Sequence, residues 1–503
     1  MNNAKVTVLL NGNAVLVARG ATFSAVIGLD APCGGRGRCG KCKVIATGAL
    51  SPVSDTERAH LTENELKKGV RLACCTLVMG NCTVTACQRD EMMHIVTDGT
   101  DLSDPISPAF KQYAVALDIG TTTLAARLYA PSGMMLASCG RLSPQGRFGA
   151  DVISRIEASM NGNAETLAVL IRTAIDSMVR ELASTADIAA AQIDALCITG
   201  NTAMLYLLTA SDPEALSHAP FEADRLFGEQ TTAKAIGLSA LAPDTSVLLP
   251  PCISAFVGAD TVCALLSAEL CDKPESVLLV DMGTNGEIAL WHEGTLTVCS
   301  TAAGPAFEGA GISMGMRGET GAIDRVSLYE NKLIPHVIGE IEPKGICGSG
   351  LVDAVASLLE LELIDETGYM DQESITLIPP VHLTAKDIRM LQLAKSAICA
   401  GILTVLQARN VSCEQLSAAF VAGGFGRYLN PENAARIGLL PRALCHKIKT
   451  VGNAALDGAA MLLLRRDALA KAQRLAKSAT VLELSTSAVF AEQYMSGMML
   501  EEC

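Results

Sequence analysis

VALDIGTTT at 115–123 and LLVDMGTNGE at 278–287 decide the fold. Each runs an apolar strand into Asp-x-Gly-Thr, and their aspartates, Asp118 and Asp281, stand 163 positions apart. After such a strand the glycine permits a tight hairpin. Backbone N–H groups and threonine hydroxyls then face a phosphate, and the aspartate holds Mg²⁺ through water. One such turn arises by chance, but two, each opening a strand-rich half, point to a duplicated phosphate-binding fold. The candidate contacts are Gly120, Thr121, Thr122 and Thr123 in the first turn, and Gly283, Thr284, Asn285, Gly286 and Glu287 in the second. A third stretch, FVAGGFGRYLNPENAARIGLLP at 420–441, runs a strand into Gly423 and Gly424, then Phe425 and Gly426, then a helix. It brings backbone close to a flat adenine or ribose; taken alone, the glycine pair reads equally well as helix–strand packing. Gly348, Ser349 and Gly350 open the helix LVDAVASLLE, either beside the same cleft or as a plain helix cap.

Outward from these motifs, apolar strands alternate with helices from Tyr113 onward, which is the α/β signature. We divide that region into lobes 113–275 and 276–503. Upstream, residues 1–88 are β-rich. KVTVLL and AVLVA flank Asn11-Gly12, a hairpin turn. A short helix is expected near 22–29, then the strand KVIAT, then a helix opened by Ser54 with Glu57 three residues on. A last strand pair is expected over 70–75 and 83–87. Residues 89–112, rich in aspartate and punctuated by Pro105 and Pro108, read as a flexible linker with little apolar material for docking the two parts.

Between the first strands and the linker lies a cysteine cluster. The chain of 503 residues holds 18 cysteines, and Cys33, Cys39, Cys42, Cys74, Cys75, Cys82 and Cys87 precede residue 90. The loop CGGRGRCGKC at 33–42 spaces three of them as C-x5-C-x2-C. Iron–sulfur clusters need converging thiolates and many backbone N–H groups aimed at sulfide; glycines let the backbone wrap that closely. A structural zinc site usually shows two C-x2-C knuckles, and this chain has one. We assign a [2Fe–2S] cluster to Cys33, Cys39, Cys42 and Cys74. Cys74 is preferred over Cys75 because adjacent strand residues face opposite ways. Cys82 and Cys87 are read as packing residues.

The net charge of −14 and a pI near 5.1 argue against nucleic acid or anionic membrane surfaces as partners. Mean hydropathy is +0.33, yet the stretch 391–406 is broken by Gln392, Lys395 and Ser396 and reads as a buried helix. The N-terminus lacks a basic segment followed by a long apolar one, so a cytoplasmic location is expected.

In order, the three nucleotide motifs resemble the actin, sugar kinase and Hsp70 ATPase superfamily, which implies ATP and Mg²⁺ held between two α/β lobes. FVGADTVCALL at 256–266 is similar to the glycine–aspartate segment of sugar kinases, which implies that Asp260 orients the attacking water; the plain alternative is a helix-start carboxylate satisfied by the dipole. Asn201 and Thr202, in ITGNTAM at 198–204, are further cleft candidates. A ferredoxin-like module ahead of this ATPase resembles the reductive activators of corrinoid proteins. RFGADVISRI at 147–156, AAGPAFEGAGI at 302–312, ICGSGLVDAV at 346–355 and AGGFGRYLNP at 422–431 carry that resemblance. It implies a β-grasp [2Fe–2S] domain followed by an actin-like (ribonuclease H-like) ATPase. The implied activity is one-electron return of a Co(II) corrinoid protein of a methyltransferase system to Co(I). ATP hydrolysis would drive that transfer and an external low-potential donor would supply the electron. The resemblance allows a homodimer. The hydroxyls of Ser300 and Thr301, just before AAGPAFEG, either face the partner or cap a turn. Longer members carry a domain between ferredoxin and ATPase; here Cys74 and Asp118 are 44 positions apart, room for a strand and a linker only. The alternative reading is a small-molecule kinase with a structural or regulatory cluster, and the chain shows no evident sugar-binding constellation.

Overall fold

The computed structural model describes residues 5–24, 33–86 and 106–503. The chain forms two compact units. The first takes in residues 1–91 together with 144–163, a segment from beyond the linker; the second takes in 92–143 and 164–503.

Asn11 and Gly12, both at positive φ, turn strand Lys5–Leu10 back into Asn13–Ala18. Lys5–Leu10 then pairs in parallel with Val78–Ala86. The five-stranded sheet is completed by Lys43–Leu50, flanked by Val78–Ala86 and Val70–Leu72, which is the order of a β-grasp domain. The two late strands therefore do not pair with each other as the sequence reading has it: Lys43–Leu50 lies between them. Val8, Phe23, Val44, Leu72, Val78 and Val84 are fully buried in the core. Cys82, also buried, belongs to that core, whereas Cys87 lies outside the described residues, as do 25–32 of the early helix and 89–105 of the linker. In this unit Arg36 pairs with Glu157, and Gly34 lies so close to the Phe148 carbonyl that a Cβ would stand 3.1 Å from it.

The second unit contains two six-stranded sheets built on one plan. In the first, Met135–Leu142, Thr123–Tyr129 and Tyr113–Ile119 form an antiparallel meander; Ile193–Gly200 and Ser246–Pro251 continue it in parallel, and Phe227–Thr232 closes the edge. In the second, Thr295–Thr301, Gly286–His292 and Val277–Met282 form the meander, Ala418–Ala422 and Ile448–Gly452 follow in parallel, and Thr480–Val481 adds a short parallel edge beside Thr295–Thr301. Asp118 and Asp281 are each the penultimate residue of the first strand of a meander. Helix Ala259–Ser267 crosses helix Ala454–Leu464 at Gly458, where a Cβ would meet the Cys263 carbonyl at 2.0 Å, so glycine is required for that crossing. A buried Arg127–Asp457 ion pair ties the first sheet to the same helix. Helix Ala385–Ala408 is long and apolar enough to cross a membrane by composition, yet 78% of its apolar window is buried in this fold, as a core helix requires.

Candidate functional site

The cysteine loop closes on a short turn after strand Val70–Leu72. Gly34, Gly35, Gly37 and Gly40 all adopt positive φ, which folds the loop tightly enough to gather the thiols. The four predicted ligands form two pairs: Cys33 and Cys39 Sγ atoms are 3.4 Å apart, and Cys42 and Cys74 Sγ atoms 3.2 Å. Among the described residues no three Cys, His, Asp or Glu side chains gather on one point as a mononuclear ion needs. Two thiol pairs suit two irons, one pair for each, so the donor set fits a [2Fe–2S] cluster better than zinc. The Cys42 thiol is pulled down to about 6, chiefly by its hydrogen bond with Cys74 against the cost of burial. Burial also opposes ionisation of Cys33, but the backbone N–H of Arg38, the Cys39 thiol and the backbone N–H groups of Cys39 and Arg36 outweigh it and lower its pKa.

The geometry corrects the reason for preferring Cys74. The strand ends at Leu72, so Cys74 and Cys75 lie in a turn and strand alternation does not separate them. Their Sγ atoms are 3.5 Å apart. What distinguishes Cys74 is its closeness to Cys42. The turn is held by Glu57, which is fully buried and accepts from Arg71 Nε at 2.8 Å, Leu72 N at 3.2 Å and Thr76 Oγ1 at 3.0 Å. Its other oxygen closes the capping box with Ser54.

In the second unit, both Asp-x-Gly-Thr hairpins open onto one cavity of about 300 Å³. Its lining includes Asp118, Gly120, Thr121, Thr122 and Thr123 from the first hairpin, and Asp281, Gly283, Thr284, Asn285 and Glu287 from the second. Gly348, Ser349, Gly423, Gly424 and Phe425 line it as well, with Asp260 and Asn201. The local reasons are steric. A Cβ on Gly120 would stand 2.8 Å from the Thr123 carbonyl across the hairpin, and one on Gly423 2.9 Å from Asp281 Oδ1. Asn201 caps helix Thr202–Thr209 and donates to Thr121 Oγ1 at 3.3 Å.

Several predicted residues serve packing instead. Gly286, Gly350 and Gly426 lie outside the lining, each with a neighbour where a Cβ would go: Ile398, the Ile323 carbonyl and Val421. Thr202 is buried and donates to the Ser254 carbonyl at 2.6 Å. Ser300 and Thr301, expected to face the partner, make contacts within the sheet. Both lie in strand Thr295–Thr301; Ser300 donates to Glu287 Oε1 at 3.3 Å, and Thr301 is 5% exposed.

Five carboxylates line this cavity, and burial raises four of them, Asp118, Asp260, Asp281 and Glu287. Burial, then the charge of Asp260, pushes Asp118 and Asp281 up to about 7, while Asn453 at 3.1 Å partly offsets the shift at Asp118. Burial pushes Asp260 up to about 6, although Thr261 N donates to it at 2.7 Å. Glu287, opposite Asp281 on the neighbouring strand, is raised by burial and by both aspartates. Such a set holds protons or cations. It suits Mg²⁺ carried mainly by waters and phosphates, with one or two carboxylates.

Sequence reasoning missed Glu308, Arg317 and Asn453. Glu308 accepts hydrogen bonds from Thr122 Oγ1 and, at 2.8 Å, from Thr284 Oγ1. Arg317 is a half-buried cation on the cavity wall. Asn453 caps helix Ala454–Leu464. The string around Glu308 carries the family resemblance, but nothing local marks the residue itself.

Residues 275–503 match the family model described as the C-terminal domain of RACo, the ASKHA domain. Residues 113–273 match the RACo middle region, and 6–79 the 2Fe-2S iron-sulfur cluster binding domain. The chain is 33% identical over 448 residues to the corrinoid activation enzyme RamQ of Eubacterium limosum, covering 81% of this chain and 74% of the relative. It is 28% identical over 420 residues to a [Co(II) methylated amine-specific corrinoid protein] reductase of Methanosarcina barkeri, 76% of each chain. A solved structure of a reductive activator for corrinoid, iron-sulfur protein superposes with a TM-score of 0.74 at 28% identity, covering 99% of this chain and 98% of that one. With a ferredoxin-type module and an actin-like ATPase in one polypeptide and a relative this similar over most of its length, the chain belongs to the reductive activators of corrinoid proteins.

Proposed function

We propose that this protein returns the inactive Co(II) form of a corrinoid protein to Co(I) by one-electron transfer coupled to ATP hydrolysis. The observation that carries this reading is the presence in one chain of a paired-thiol loop and a carboxylate-lined phosphate cleft. A one-electron step against a potential gap costs about 2.3 kcal/mol per 100 mV, so a gap of several hundred millivolts needs an exergonic partner reaction. The kinase alternative leaves the thiol loop without a task.

In the cleft, the threonine hydroxyls and backbone N–H groups of the two hairpins bind and orient the phosphates. Asp118 and Asp281 would hold hydrated Mg²⁺, which would neutralise phosphate charge. Asp260 orients the attacking water and takes its proton, for which a carboxyl raised to about 6 is suited. In the first unit Cys33, Cys39, Cys42 and Cys74 hold the cluster, which when bound supplies one-electron storage. Arg38 and Lys41 give the loop a positive field that favours its reduced state, while the charge of Arg36 is met by Glu157. An external low-potential donor supplies the electron, and the partner is the corrinoid protein of a methyltransferase system in the cytoplasm. Asp281→Ala tests the assignment: it should abolish ATP-dependent Co(II) reduction while the iron–sulfur absorption remains. Undiminished reduction in that variant refutes it.

A further inference from the structure

Glu308 stands where both phosphate hairpins meet. It ends the short helical turn Pro305–Glu308, flanked by Gly304 and Gly309 at φ of 77° and 76°. One carboxylate oxygen accepts from Thr122 Oγ1 of the first hairpin, the other from Thr284 Oγ1 of the second at 2.8 Å. The backbone repeats the contact, since Gly304 N donates to the Thr284 carbonyl at 2.9 Å. Hydroxyls in phosphate turns exist to donate to phosphate oxygens. A carboxylate that accepts from one hydroxyl of each hairpin presents both with an anion.

An incoming phosphate and Glu308 therefore compete for the same two donors, and their like charges repel. We infer that Glu308 is an internal occupant of the terminal phosphate's place and sets the discrimination between ATP and ADP. ATP must expel the carboxylate to reach Thr122 and Thr284; the shorter ADP leaves it seated. The γ-phosphate is thereby coupled to displacement of the turn Pro305–Glu308. This rests on the proposal that the nucleotide's phosphates lie between the two hairpins.

The test is equilibrium titration of the full chain with MgATP and with MgADP, in wild type, Glu308→Ala, Glu308→Gln and Asp281→Ala. Glu308→Ala should bind MgATP about tenfold more tightly, with MgADP changed by about twofold or less; one decade corresponds to about 1.4 kcal/mol. Glu308→Gln retains the shape and loses the charge, so it should shift the same way by a smaller factor. Tightening is the opposite of what a damaged fold produces, and the glutamine variant decides the matter if the alanine variant does not fold. Unchanged or weaker MgATP binding in the folded variants overturns the inference. Unchanged MgATP binding in Asp281→Ala would instead overturn the placement of the nucleotide.

Discussion

At the scale of single residues, Cys74 and Cys75 present the chain with a choice between two thiols 3.5 Å apart. The 3.2 Å approach of Cys42 to Cys74 favours Cys74. Cys74→Ser should lose the colour and the acid-labile sulfide, whereas Cys75→Ser should retain about two irons and two sulfides per chain. Iron and sulfide analysis after anaerobic purification checks this, and the reverse pattern would assign the fourth ligand to Cys75. Among the described residues, Arg317 is the only basic side chain on a cleft wall that carries five carboxylates. Charge-assisted hydrogen bonds contribute about 1.5–3 kcal/mol, so Arg317→Ala should weaken MgATP binding by about tenfold or more. Titration calorimetry measures it, and unaltered affinity would show that Arg317 does not touch the phosphates. Asp118 and Asp281 were legible in the sequence because a phosphate turn is written in four consecutive residues. Glu308 and Arg317 were not, because their task depends on chain segments far apart: Thr122 and Glu308 are 186 positions distant.

The elements show the same division between local and distant causes. Ser54 and Glu57 announced a helix start, and the capping box forms as read. Nothing in that motif reveals that Glu57 also receives Arg71, Leu72 and Thr76 and so fixes the turn bearing Cys74. Burial opposes the charge on Glu57, but Arg71 and the backbone donors of Ser54 and Leu72 prevail and hold its carboxyl down to about 2, against 4.5 unperturbed. A depressed carboxyl stabilises fully above the unfolded value and loses that contribution as pH falls from about 4.5 toward 2. Glu57→Gln should therefore cost about 3 kcal/mol at pH 7, at about 1.4 kcal/mol per unit, and the deficit should shrink on acidification through that window. Anaerobic denaturant titrations at several pH values test it; a deficit independent of pH would mean that shape rather than charge is responsible. The misread strand at 70–75 has a related origin, since its apolar residues look extended while Glu57, far upstream, bends 73–76 into a turn. Gly258 opens helix Ala259–Ser267 with no room for a side chain, because a Cβ would stand 2.4 Å from Asn201 Cα. Gly258→Ala should displace Asp260 and cut ATP hydrolysis at least tenfold while the iron–sulfur spectrum persists, as parallel ATPase and absorption assays would show.

Across the whole molecule, the α/β plan was legible because the two phosphate hairpins repeat at the same place in two sheets. The make-up of the compact units was not. Residues 144–163 join the first unit, although in the sequence they sit between strands of the first ATPase sheet. Their contacts with the cysteine loop, such as Arg36 with Glu157, arise between segments 121 positions apart. The thiol loop and the phosphate cleft are chemically separate sites, and a corrinoid activator needs both: one to carry an electron, the other to supply free energy. The claim that joins them is that ATP hydrolysis drives the electron uphill. It is tested most directly by mixing the intact protein anaerobically with a Co(II) corrinoid protein and a low-potential reductant, with and without MgATP, and following cobalt by its visible spectrum. Conversion to Co(I) that requires MgATP and disappears in Asp281→Ala is the expected result; conversion at full rate without ATP would contradict it.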